Sequence, residues 1–160
     1  MKIYYDQNGI RVRTAVKADV DAMKGRLRDS DVHEIYASHH RKPEEALKMC
    51  VENTIFAATI ENGRPIGIFG INTDNILGDR ATIWMLGTDD LDKISTRFLR
   101  NNPKFIEMML EYYPYLENYV HEKNTKSISW LKFLGATIED KQPYGLDGEM
   151  FHHFYFKRSK

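Results

Sequence analysis

The chain has 160 residues, 42% of them apolar and 29% charged, which suits one domain, residues 1–160, with its own core. Lys plus Arg and Asp plus Glu are equal at 23 each, so no overall field draws the chain to nucleic acid or to an acidic membrane surface, although a local basic site stays open. One cysteine, Cys50, excludes an internal disulfide and a thiolate metal cluster and fits a reducing cell interior; no stretch approaches the ~18 apolar residues of a membrane span, and the opening MKIYYDQNGIRVR has no apolar signal core.

Ile10 to Ala15 alternates apolar with polar and predicts a strand. Asp19 can cap a helix running to about Leu27, with Val20, Met23 and Leu27 on one face. Arg28 to Lys42 reads as irregular and polar, so Asp29, Ser30, Asp31, His33 and Glu34 are expected in loop and cap roles although they contain the ingredients of a triad. Pro43 opens the next helix, whose stripe is Leu47, Cys50 and Val51; a cysteine in that stripe is inert core. TIFAATI and PIGIFGI are strands, and Asn62-Gly63 is expected to join them in a two-residue hairpin loop. ATIWML is the next strand and Gly87 ends it.

From Thr88 to Asn102 the pattern is broken: Asp89, Asp90 and Asp92 suit a helix start, but Asn101-Asn102-Pro103 interrupts it. Pro103 to about Tyr113 predicts a helix with Phe105, Met108, Met109 and Tyr112 inward, stopped by Pro114. YLENYVHE is a strand. Asn124 or Thr125 caps a helix over Lys126–Leu134, anchored by Trp130 and Leu134, and Gly135 ends it in the left-handed conformation. Two strands, Thr137–Lys141 and Met150–Lys157, close the chain around Tyr-Gly-Leu-Asp-Gly. The order β α α β β β α β α β β predicts an α/β (mixed α+β) fold with a central, mostly antiparallel sheet and helices on both faces.

This order resembles the GNAT acyltransferase fold. Asn124, Ser127, Trp130 and Gly135 fall at the family's spacing of Asn, small, large apolar and Gly. A second resemblance, over roughly residues 80–157, is to the small internal virion proteins of short-tailed bacteriophages, themselves GNAT-like. It rests on Trp84 with Thr88-Asp89, on Leu116-x-Asn118-Tyr119-Val120, on Asn124-Thr125, on Ile128 with Leu131-Lys132, and on Gly135-Ala136. The second resemblance implies a phage protein made in the host bacterial cytoplasm, with phage structural or host proteins as partners and the virion as a possible destination.

The GNAT resemblance implies acetyl-CoA as cofactor if the chain is active. The pantetheine arm would then run along the end of the fourth strand, at Leu86 and Thr88. The pyrophosphate would meet the opening of the next helix, with Asn124 as a further contact. The family's glycine-rich phosphate loop is missing from GTDDLDKISTRFLRNNPKF, where three aspartates oppose phosphate and Arg97, Arg100 and Lys104 could compensate in part by side-chain pairing. The position of the family's general acid, a tyrosine, is Leu131, which has no proton to give. Tyr119 and His121 share a strand face with Glu117 and are the candidate replacements. His39-His40 and His152-His153 are adjacent pairs; neighbours on a strand point apart, so neither chelates a metal by itself, and no metal site is expected. Two functions are carried forward: a catalytically degenerate GNAT-fold protein of virion assembly or the virion interior, and an acetyl-CoA-dependent N-acyltransferase acting on an amine of a host or phage protein.

Overall fold

The structure, a computed structural model, describes residues 1–99 and 103–159, and the side chains of all of these except 95–97 and 99. In chain order the elements are β1 (Ile3–Gln7), β2 (Ile10–Thr14), α1 (Lys17–Met23), α2 (Asp29–His39), α3 (Pro43–Glu52), β3 (Thr54–Glu61) and β4 (Pro65–Asn72). They continue with β5 (Arg80–Gly87), α4 (Asp89–Leu99), α5 (Pro103–Tyr112), β6 (Tyr115–His121), α6 (Thr125–Phe133), β7 (Thr137–Tyr144) and β8 (Glu149–Lys157). The strands form one mixed sheet in the order β1-β2-β3-β4-β5-β6-β8-β7, antiparallel throughout except for the parallel pair β5–β6.

The near-continuous apolar runs of β3 and β4 follow from burial on both sheet faces. Val20 and Met23 of α1 and Leu47 of α3 cover one face through Ile68, Trp84 and Leu86. Phe105, Ile106 and Met109 of α5 cover the other through Phe69, Ala81, Ile83, Leu116, Phe154 and Phe156. α6 sits over the same side, yet none of its residues is fully buried: Trp130 and Leu134 are half-buried neighbours of the core rather than anchors inside it. Tyr112, expected inward, is 52% exposed, because the core side of α5 is already filled by Phe105, Ile106, Met109 and Leu110.

Several boundaries differ from the sequence reading for physical reasons. Asp19 is not an N-cap but lies inside α1, buried, where it accepts from the Val16 N–H (2.9 Å) and from both terminal nitrogens of Arg13 (2.8 and 2.9 Å). The two-residue Asn-Gly hairpin exists at Asn8-Gly9, joining β1 and β2, with both residues at positive φ (55° and 79°) and Gln7 paired with Ile10. Asn62-Gly63 instead belongs to a three-residue loop closed by Glu61 opposite Pro65, and only Gly63 is left-handed. The apolar register Ala58↔Phe69 and Ile60↔Gly67 would set Pro65 against Asn62, but proline has no N–H for a closing pair, so the strand bulges and Asn62 N–H donates to Arg64 O (3.1 Å). Within the broken stretch after Thr88, Asp89–Leu99 is α4, which starts at the aspartates; Asn101 and Asn102 lie outside the described residues. Gly135 has φ +97° and follows α6 as expected.

The largest difference is α2. An eleven-residue helix occupies a region read as irregular. Its apolar periodicity is weak because the face it buries is partly polar: of its residues only Asp31 and Ala37 are buried. Among the described residues no helix is long and apolar enough to cross a membrane.

Candidate functional site

β5 and β6 pair only at Arg80↔Tyr115, Ala81↔Leu116 and Thr82↔Glu117 and then diverge. Where they part, the Asn118 amide donates to Ile83 O (2.6 Å) and props the gap. On the α5–α6 side the gap opens into an apolar cavity of about 150 Å3, lined by residues that include Met85, Phe105, Met109, Trp130 and Leu131. On the opposite face a more polar groove of about 730 Å3 runs between α2, α3 and the sheet. Asp31, Glu34, Trp84, Met85, Asn118 and Tyr119 line both.

α2 lies across the open end of this splay and binds both strands. Asp31 Oδ2 accepts from the Gly87 N–H at the end of β5 (2.9 Å), and Asp31 takes two bonds from Arg28 (3.0 and 3.1 Å). The Arg28 N–H donates to Gly87 O (2.9 Å), and its guanidinium also reaches Asp92 of α4 (2.9 Å). One turn later, Glu34 Oε1 accepts from the His121 N–H at the end of β6 (3.0 Å) and from the Asn124 amide (2.9 Å). Residues 28, 31 and 34 are three apart, so a helix puts them on one face. Burial is the largest influence on the carboxyls of Asp31 and Glu34 and pushes both above the usual range. Arg28 and the Gly87 N–H pull Asp31 back, and Asn124 and the His121 N–H pull Glu34 back. Burial works against the Arg28 cation, yet the Asp31 and Asp92 carboxylates hold its pKa above its ordinary value.

The residues singled out in the sequence divide across this site. Leu86 packs against α1 and α3 and lines the polar groove. Thr88 is buried, and both its N–H and its hydroxyl donate to Ile66 O (2.8 and 3.2 Å). Asn124 caps α6 by accepting from the Ser127 N–H (3.3 Å) while holding Glu34. The Arg97 side chain and Arg100 lie outside the described residues. Tyr119 lines both cavities and stacks on Tyr144 with ring centroids 3.8 Å apart. His121 is buried and lines neither. Its Nδ1 accepts from the Lys123 N–H (3.1 Å), so in the neutral ring Nε2 carries the proton and donates to Glu149 (2.8 Å). Leu131 lines the apolar cavity. Two of the three aspartates that open α4 are paired within the chain: Asp90 with Arg64 (3.0 Å) and Lys93 (3.2 Å), Asp92 with Arg28 and Lys126 (3.5 Å). His40 pairs with Asp147 (2.6 Å), and His153 with Glu117 (2.8 Å) and Glu139. Cys50, expected in the core, is half-buried at its edge and lines the polar groove, and burial pushes its thiol up to about 11.

Comparison with solved structures identifies the architecture. The ribosomal-protein-S5-alanine acetyltransferase of Vibrio fischeri superposes with a TM-score of 0.71 at 14% identity, covering 98% of this chain and 97% of that one. This is the GNAT acetyltransferase fold. The GNAT-fold spermidine N-acetyltransferase of Vibrio cholerae, solved with CoA and spermine, gives 0.66 at 12% identity over 95% of this chain and 97% of its own. An acetyltransferase of Agrobacterium tumefaciens gives 0.64 at 15% over 99% and 95%. A family model described as "Bacteriophage T7, probable scaffold protein Gp13" matches residues 70–142, in the part of this GNAT-fold chain where the phage resemblance was read. No curated protein sequence matches the chain.

Proposed function

We propose that this GNAT-fold chain acts in bacteriophage virion assembly through protein contacts, as a scaffold or an internal virion protein, without acetyl transfer. The observation that carries the reading is the Asp31 carboxylate on the Gly87 amide. In GNAT enzymes the pantetheine arm of acyl-CoA takes backbone amides at this strand end. Here Gly87 is held by α2 and Thr88 by Ile66. Of the aspartates opening α4, where a pyrophosphate would approach, Asp90 and Asp92 are bound to basic side chains of the chain itself. Leu131 supplies no general acid. The match to a family described as a scaffold supports the assembly role. The partners are then phage structural or host proteins, met in the host cytoplasm.

One observation favours the other reading, an acetyl-CoA-dependent N-acyltransferase: the two cavities meet at the splay, with Glu34 and Tyr119 lining both. Isothermal titration with acetyl-CoA and CoA, thiol release with a panel of amines, and quantification of the tagged chain in assembly intermediates separate the two. The assembly reading expects no CoA binding up to about 0.1 mM, a free energy weaker than about 5–6 kcal/mol, no thiol release, and recovery of the chain with the particles. A micromolar dissociation constant with turnover overturns it.

A further inference from the structure

We propose that His33, His121 and Glu149 form a binding site for a transition-metal dication, zinc foremost. The three come from α2, β6 and β8, and their donor atoms all lie within 4.8 Å of one another. His121 Nε2 is 2.8 Å and His33 Nε2 3.4 Å from the same oxygen, Glu149 Oε1. The two imidazole rings are 4.7 Å apart, tilted by 55°. Zinc bonds of about 2.0–2.1 Å to nitrogen and oxygen place tetrahedral donors about 3.3 Å apart, so the His121–Glu149 pair must open by about half an ångström, the His33–Glu149 pair already stands near that spacing, and the two imidazole donors, within 4.8 Å, must close by at most about 1.5 Å. Two imidazoles and one carboxylate exclude magnesium and calcium, which take oxygen shells, and suit zinc, cobalt or nickel with a fourth position open.

One ligand is buried and two are open to solvent, the His33 and Glu149 side chains being 48% and 37% exposed, which leaves an ion a path in. His121 is 2% exposed and fixed by its strand, while His33 and Glu149 close over it from two other elements. Without metal, the Nε2 proton of His121 bridges to Glu149, and Lys123 N–H occupies Nδ1. Metal at Nε2 requires the other neutral tautomer: the Nε2 proton leaves to solvent and Nδ1 takes one up from it, with no net proton release. The ring then carries its proton on Nδ1 and gives up the bond from Lys123, an exposed residue whose N–H water can reach. The exchange gives up two hydrogen bonds, Lys123 N–H to Nδ1 and Nε2–H to Glu149, for coordination bonds to the two imidazoles and the carboxylate. The bound ion ties α2 to β6 and β8, on the same helix turn that closes the splay through Glu34. The site is independent of whether the chain transfers acetyl groups.

The test uses the full chain freed of metal with a chelator and titrated with zinc chloride by calorimetry and thermal unfolding, with magnesium chloride as control. Expected are one zinc per chain and a midpoint raised by zinc but not by magnesium, since a ligand that binds only the folded state stabilises it. His33→Ala and Glu149→Gln each remove a ligand without emptying the core and should weaken binding at least about tenfold. Cobalt gives a second readout: tetrahedral visible bands in the parent chain, lost in His33→Ala. Absence of binding at about 0.1 mM zinc overturns the proposal. So does binding unchanged in both variants, which would place the ion at other histidines.

Discussion

Replacing Asp31 with Ala removes the link between α2 and the end of β5. The side chains of Arg28 and Asp31 are 9% and 6% exposed, so both charges depend on each other rather than on water. Breaking a buried pair from one side costs about 3–5 kcal/mol. Asp92 still reaches Arg28 at 2.9 Å and is one-third exposed, which moves the expectation to about 3 kcal/mol, including about 1–3 kcal/mol for the Gly87 N–H left without its acceptor. For a chain of this size that is a fall of roughly 6–12 °C in melting temperature. Urea unfolding followed by tryptophan fluorescence gives the free energy, and a thermal scan gives the midpoint. The double variant Arg28→Met/Asp31→Leu removes both charges and should lose less than Asp31→Ala alone, because its residual cost is mainly the Gly87 amide. A loss below about 1 kcal/mol in Asp31→Ala, or a double variant worse than the single, would refute the reasoning. The same variant frees the Gly87 N–H, so any latent affinity for acetyl-CoA should appear there first.

Two further outcomes follow from the same contacts. Gly145 has φ +80°, and a Cβ there would lie 2.6 Å from Ser38 Cα, so Gly145→Ala should push the β7–β8 turn off α2; Gly148→Ala, at φ +65° with open space around it, carries the backbone cost of about 1–2 kcal/mol alone, and denaturation midpoints should rank them in that order. Burial, the largest single influence, pushes the Asp19 carboxyl up, but Arg13, Thr59 and the Val16 N–H together hold it below its usual value. A folded-state pKa below the unfolded value of about 3.9 contributes stability that is present above that pH and is lost as pH falls through the folded value, so Asp19→Asn should be less stable at neutral pH and show a flatter acid limb of stability against pH.

The elements that were legible in the sequence share one property: their buried faces are apolar. β3, β4, β5 and α5 announce themselves through continuous or periodic hydrophobic residues, and Asn124 with Gly135 marks both ends of α6. α2 does the reverse. It buries Asp31 and turns Glu34 inward, and the partners of those carboxylates, Gly87 and His121, are 56 and 87 positions away. No local pattern encodes such a pairing; the only trace was the spacing of Arg28, Asp31 and Glu34. The Asn-Gly signal was sound chemistry at Asn8, but at Asn62 the neighbouring Pro65 overrode it. Tyr119 could be placed on a strand face from the sequence. That His121, two residues on, packs against His33 and Phe151 and lines neither cavity depended on α2, whose place beside β6 no local pattern announced.

The short ladder between β5 and β6 divides the molecule mechanically. Three paired positions join a five-stranded half, β1 to β5, to a three-stranded half, β6 to β8. Beyond them the halves are bolted by side chains: Asn118 to Ile83, and α2 with one carboxylate on each side. On the far side α5 packs one apolar core across both halves, so amide exchange at Gly87 and His121 would show whether the α2 link opens separately from global unfolding. Prising α2 away would therefore unpair Gly87 and His121 at the splay while the apolar core under α5 still joins the two halves.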